Sequence, residues 1–233
     1  MSDLRGYEFG RRGTVSTVEV RNKVLRNTYW LLALSMIPTV LGAWLGVATG
    51  FSLFAASSPM TSVLLFLAIA FGFMFAIERF KNSGVGVALL LGFTFFMGLM
   101  LSRLIGYVLG FSNGGTLIMM AFGGTGVIFA AMATIATVSK RSFSGLGKWL
   151  TMGVVVLILA SLANIWLQLP AMMLTVSVLA IVIFSAFMLF DVQRVVNGGE
   201  TNYVTATLAI YLDLYNVFSN LLALLGIFGG NRN

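Results

Sequence analysis

An all-α integral membrane protein with seven transmembrane helices is the fold class this sequence predicts, and three observations predict it. Of the 233 residues 59% are hydrophobic and only 9% charged, whereas soluble chains average about 25% charged. The mean hydropathy is +0.99. Seven apolar stretches follow one another, each of a length that crosses a bilayer as a helix. The basic residues gather at alternate connections between them.

The elements can be taken in order. Residues 1–28 form an N-terminal tail. Within it, residues 1–13 carry Gly6, Gly10 and Gly13 among charges and are expected to be disordered. Residues 17–26 are expected to form a short helix that anchors at an anionic lipid surface. The predicted spans are 29–50, 61–77, 84–109, 116–138, 149–167, 170–190 and 205–228, and residues 229–233 are a short C-terminal tail. Together 29–228 make one transmembrane domain.

Glycine is concentrated inside the spans. Gly42, Gly46 and Gly50 in the first, and Gly106 with Gly110 in the third, follow the small-xxx-small spacing that lets helix backbones approach closely. Packing within the bundle is the simpler reading of both. The cluster Gly123-Gly124-Thr125-Gly126 lacks the Lys-Ser/Thr of a phosphate loop and sits in an apolar span, so it reads as packing or a helix irregularity. Ser161, Asn164 and Gln168 share a face of the fifth span and suggest interhelical hydrogen bonds. Arg103, in the third span, is expected to snorkel to the nearer interface.

Orientation follows from charge. Of the 14 Lys and Arg residues, 12 fall before the first span, after the second, between the fourth and fifth, or after the sixth. These connections share one side. The positive-inside rule therefore places the N-terminus in the cytoplasm and the C-terminus outside. The formal net charge of +7 is largely this topology signal. No basic stretch accompanies a recognition fold, so nucleic acid is not an expected partner.

Several chemistries lack their residues. The chain has no Cys and no His, which removes disulfides, thiolate metal sites, Ser-His triads and histidine switches. The first apolar run exceeds a signal-peptide core of about 7–15 residues and follows a charged tail, so that span is expected to be retained. The Met and Phe residues are read as helix-contact fillers.

Two acids stand out. Asp213 lies inside an apolar stretch, where an ionised side chain costs a few kcal/mol or more unless compensated. Asn216 and Asn220 follow it at i+3 and i+7 and line the same face. Asp191 ends the predicted sixth span, where a salt bridge to Arg194 at i+3 competes with a functional role. If Asp191 and Asp213 meet, they share a proton and titrate together, which makes the pair a pH sensor. Their spacing opposes contact, because Asp213 lies about 12 Å inside its span while Asp191 is near the interface. The sixth helix would have to dip. An aspartyl intramembrane protease is disfavoured, since Asp213 follows Ile210-Tyr211-Leu212 rather than Gly-x-Gly, and Pro170-Ala171 precedes both acids.

The stretches Phe190-Asp191-Val192-Gln193 and Tyr211-Leu212-Asp213-Leu214-Tyr215-Asn216 resemble the Bax inhibitor-1 family of seven-helix membrane proteins. Lys23-Val24-Leu25-Arg26-Asn27-Thr28-Tyr29, Ala163-Asn164-Ile165-Trp166-Leu167-Gln168-Leu169-Pro170-Ala171 and Gly198-Gly199-Glu200-Thr201-Asn202-Tyr203 are similar to its bacterial YccA branch. The resemblance covers about residues 22 to 228. It implies two functions. One is non-enzymatic modulation of the membrane-anchored protease FtsH at the bacterial inner membrane, engaged through the N-terminal tail. The alternative is a pH-sensitive calcium leak, in which Asp191 and Asp213 form a latch with Arg79 as its basic partner. The first is the expected function. The expected partners are the lipid bilayer and FtsH; no cofactor is expected, and calcium enters only as the ion of the alternative.

Overall fold

The computed structural model describes residues 3–51 and 59–231, with side chains from residue 19 onward. Seven helices account for almost all of these: α1 (Asp3–Thr49), α2 (Pro59–Phe80), α3 (Gly84–Leu109), α4 (Gly114–Val138), α5 (Leu146–Leu167), α6 (Pro170–Val196) and α7 (Tyr203–Gly229). Every one contains a segment long and apolar enough to cross a membrane. Among the described residues there is no strand.

The boundaries depart from expectation most at two ends. The backbone of residues 3–13, expected to be disordered, continues α1 without a break. Once a span is helical, each added residue gains a hydrogen bond without a new nucleation cost, and this outweighs three glycines. Residues 1 and 2 lie outside the described residues. α6 runs six residues past the predicted end at 190. Val192 and Val195 are buried there against neighbouring helices, so tertiary packing carries the helix through its charged turn.

α7 is the axis of the bundle. It packs against α1, α3, α4 and α6, while α2 lies mainly against α3 and α5 mainly against α6. The main apolar core joins Leu31, Ile77, Leu90, Phe93, Val192, Val204 and Ile210 across these helices. A second cluster, Val108, Phe111, Leu117, Ala121 and Leu222, holds the end where α3, α4 and the end of α7 meet.

α1 and α3 cross closely enough to exclude side chains at the seam. A Cβ added to Gly42 would collide with the Phe95 carbonyl, and one added to Gly98 with the Thr39 carbonyl. Gly46 faces the Ser102 hydroxyl. The first-span spacing is thus intramolecular packing at Gly42 and Gly46. Gly50 instead takes φ +63° just past the end of α1, where a left-handed residue suits glycine. The expected third-span step does not make this seam: Gly110 is the C-cap of α3, and Gly106 meets only the Val47 side chain. Gly98 and Ser102 take that place. Gly123 to Gly126 stay within α4, with open space beside Gly123 and Gly126. Ser161 and Asn164 bond within α5 and its closing turn rather than to another helix. Arg103 is exposed.

The ends of the helices sort as the charge pattern predicts. Asn202, before α7, donates to the Lys81 carbonyl at 3.2 Å and to Asn82 Oδ1 at 2.8 Å, so the α2–α3 turn lies beside the α6–α7 turn. Gln193 of α6 bonds the α4–α5 connection. The basic connections therefore share one end of the bundle. At the other end Asn113 donates to the Gly229 carbonyl at 2.6 Å, joining the α3–α4 turn to the end of α7.

Candidate functional site

The continuation of α6 to Val196 sets Asp191 more than a turn inside its helix rather than at its end. That removes much of the offset that argued against contact. Asp191 and Asp213 meet, with their side chains within hydrogen-bonding reach of each other. Asp213 is only 4% exposed, and its Oδ2 is buried with no hydrogen-bond partner in the described structure. A hydrogen bond between the two carboxyl groups would require a proton on one of them.

A polar relay leads outward from the pair. Arg194, one turn beyond Asp191, lies 3.9 Å from its Oδ1 and 3.1 Å from Glu200 Oε2, so Glu200 is the nearer partner. Asp191 thus has the expected ion pair with Arg194 as well as Asp213 beside it. Glu200 Oε1 accepts the Asn202 backbone N–H at 2.9 Å. Asn202 Oδ1 in turn caps α7, accepting from Val204 N at 2.9 Å and Thr205 N at 3.3 Å. An Asn at this position satisfies helix donors that would otherwise be orphaned.

Gln193 is the second fixed point. Buried at 4% exposure, it accepts from Phe143 N at 2.6 Å and donates to the Arg141 carbonyl at 2.8 Å. One amide thus binds the α4–α5 connection to the helix that carries Asp191.

Not every expected member arrives. Arg79 is exposed at the end of α2, and the charged groups acting on Asp191 are Arg194 and Glu200. The basic partner of the pair is Arg194, because it shares the last turns of α6 with Asp191 whereas Arg79 belongs to a helix that barely touches α7. Asn216 and Asn220 are half-buried on α7, but their amides turn back onto their own helix, to the carbonyls of Leu212 and Asn216, each at 2.8 Å. Among the described residues no group of three or more His, Cys, Asp or Glu side chains is placed to hold a metal ion.

Sequence reasoning missed the residues that tie α7 to its neighbours. Tyr211, buried on α7, meets Thr39 of α1 hydroxyl to hydroxyl at 2.9 Å and reaches the Thr94 carbonyl of α3 at 3.4 Å. Tyr215 donates to the Met97 carbonyl at 3.3 Å. Thr207 reaches the Thr28 carbonyl at 3.3 Å. Tyr and Thr do not interrupt an apolar run, so hydropathy carries no sign of them. Gln193, Glu200 and Asn202 did stand in stretches singled out for resemblance, but without a role.

Comparison with known proteins agrees over almost the whole chain. The family model described as inhibitor of apoptosis-promoting Bax1 matches residues 21–232. A protein of Escherichia coli K12 described as modulator of FtsH protease YccA is 36% identical over 205 residues, covering 88% of this chain and 90% of that one. A Neisseria meningitidis serogroup A protein is 36% identical over 213 residues, 91% of this chain and 93% of its own. A Vibrio cholerae membrane protein is 33% identical over 223 residues, 96% and 97% of the two chains.

Proposed function

Because the chain belongs to the Bax inhibitor-1 family and is a multi-pass inner-membrane protein, we propose that it is a non-enzymatic modulator that binds the FtsH protease. One observation carries the reading: the near full-length similarity to a protein described as a modulator of FtsH. The N-terminus is taken as cytoplasmic, from the basic residues gathered at one end of the bundle.

The architecture supplies a mechanism. α1 continues from Glu19 back to Asp3 as a polar extension with three glycines, an element of low helical stability that a protease can grip. Behind it the same helix is locked at the Gly42–Phe95 and Gly98–Thr39 crossings with α3. Forced extraction is limited by the rate of unfolding, so a chain that is easy to grip and slow to unfold engages the protease and stalls. Deleting residues 1–13 should weaken co-purification with FtsH while membrane insertion persists, because Arg21, Lys23 and Arg26 remain. Equal co-purification of the full and truncated chains would refute the grip.

A second reading, a pH-sensitive calcium leak, is favoured by the Asp191–Asp213 contact and the unpartnered Asp213 Oδ2. Calcium flux into liposomes that contain this chain alone tests it, since a protease modulator need conduct nothing.

A further inference from the structure

α1 and α4 do not pack along their length. Their rings touch at one point, Tyr29 edge-on to Phe129 with centroids 6.1 Å apart, and beyond it a cavity of about 1040 Å³ opens between them. Its walls include Ala33, Val40 and Trp44 of α1 and Gly126 and Ala130 of α4, and α7 lies along its floor. It reaches from Tyr29 to Val47, which is about 27 Å along α1 and close to the thickness of bilayer hydrocarbon.

Five of the six hydroxyls that line it are already engaged, the exception being Tyr29 near its basic end. Thr39 and Tyr211 bond each other, Tyr215 donates to the Met97 carbonyl, and Thr125 and Thr134 donate to carbonyls of α4. With their hydrogens committed, these hydroxyls offer only spare acceptor lone pairs scattered over an otherwise apolar wall, so the surface suits hydrocarbon. The furrow is apolar, open along its length and about as long as the hydrocarbon is thick, a shape that flexible acyl chains can follow.

Charge supplies the orientation. Arg26 is exposed on α1 at i−3 from Tyr29 and i−7 from Ala33, on the same helical face as the cavity wall. Lys140 is exposed two residues past the end of α4. Both cations stand at the basic end of the furrow, where a phosphate headgroup would lie.

The geometry points to a lipid site in which an anionic phospholipid lays its acyl chains between α1 and α4 with its headgroup beside Arg26 and Lys140. The bound lipid completes the bundle wall that α1 and α4 leave open. This inference rests on the membrane location alone and is independent of FtsH.

Native mass spectrometry of the delipidated full chain, titrated with phosphatidylglycerol or phosphatidylcholine, tests it. Phosphatidylglycerol should be retained preferentially as a single adduct. Arg26→Gln and Lys140→Gln should each lower that preference by about fivefold, the worth of one cation at an anionic lipid surface. Gly126→Leu with Ala130→Leu should abolish the adduct. That variant is expected to fold, since a Cβ at Gly126 meets no atom within 4 Å and Ala130 is exposed. Equal retention of the two lipids would overturn the proposal. So would an adduct that survives the filled furrow, or a co-purifying membrane protein that the filling alone displaces.

Discussion

The Tyr211 and Thr39 hydroxyls lie 2.9 Å apart, with the Ser35 carbonyl 2.8 Å from Thr39 and the Thr94 carbonyl 3.4 Å from Tyr211. The contact joins the axial helix α7 to α1 beside the α1–α3 seam. Tyr211→Phe and Thr39→Val should each destabilise the folded protein, and the double variant should lose less than their sum. The coupling should be about 0.6 kcal/mol, as for interhelical hydrogen bonds in membranes. Thermal denaturation in a fixed detergent reads it, and strict additivity would show the hydroxyls to be independent.

The seam itself makes a sharper prediction. Gly98→Ala places a methyl group against the Thr39 carbonyl, which is backbone and cannot rotate away. The cost should be about 1–3 kcal/mol, as for an overpacked core. Gly126→Ala, facing open space, should be near neutral. Equal stability of the two variants would mean that α1 and α3 cross less closely than described.

How much of this was legible in the sequence depended on which property marked it. Spans 84–109 and 116–138 nearly coincide with α3 and α4 because apolar runs and helix bounds agree there. α6 was cut short because Asp191, Gln193 and Arg194 end the hydropathy signal, while burial of Val192 and Val195 continues the helix. The same shortening made contact between Asp191 and Asp213 look unfavourable. Arg79 was carried over from a family pattern, and only packing could show that Arg194 stands nearer. The α1–α4 furrow was invisible, since a gap between two helices has no sequence period.

The acidic pair should respond to pH in a definite direction. A proton shared by the pair would be lost as pH rises, the two adjacent carboxylates would repel, and the α6 and α7 segments that carry them should separate. Arg194, held also by Glu200, offsets part of that repulsion. Spin labels on α6 and α7 near this end should therefore report a longer distance at high pH in the native chain. In Asp213→Asn the distance should be independent of pH, because the amide cannot ionise. A pH response retained in that variant would remove Asp213 as the sensor and leave Asp191 to its pairing with Arg194.

Orientation has a clean test because the chain has no native Cys. Single Cys substitutions within 139–145 should be protected from an impermeant thiol reagent in intact cells, and substitutions at 112–113 should react. The opposite pattern would place the basic end outside and end the inside-positive topology.

The most direct test of the central claim is the lifetime of a second membrane substrate of FtsH when this protein is overproduced. If the chain occupies the protease and resists extraction, that substrate should be degraded more slowly with the full-length chain, and the delay should shrink when residues 1–13 are removed. An unchanged substrate lifetime, with no co-purification of FtsH by either form, would contradict the account.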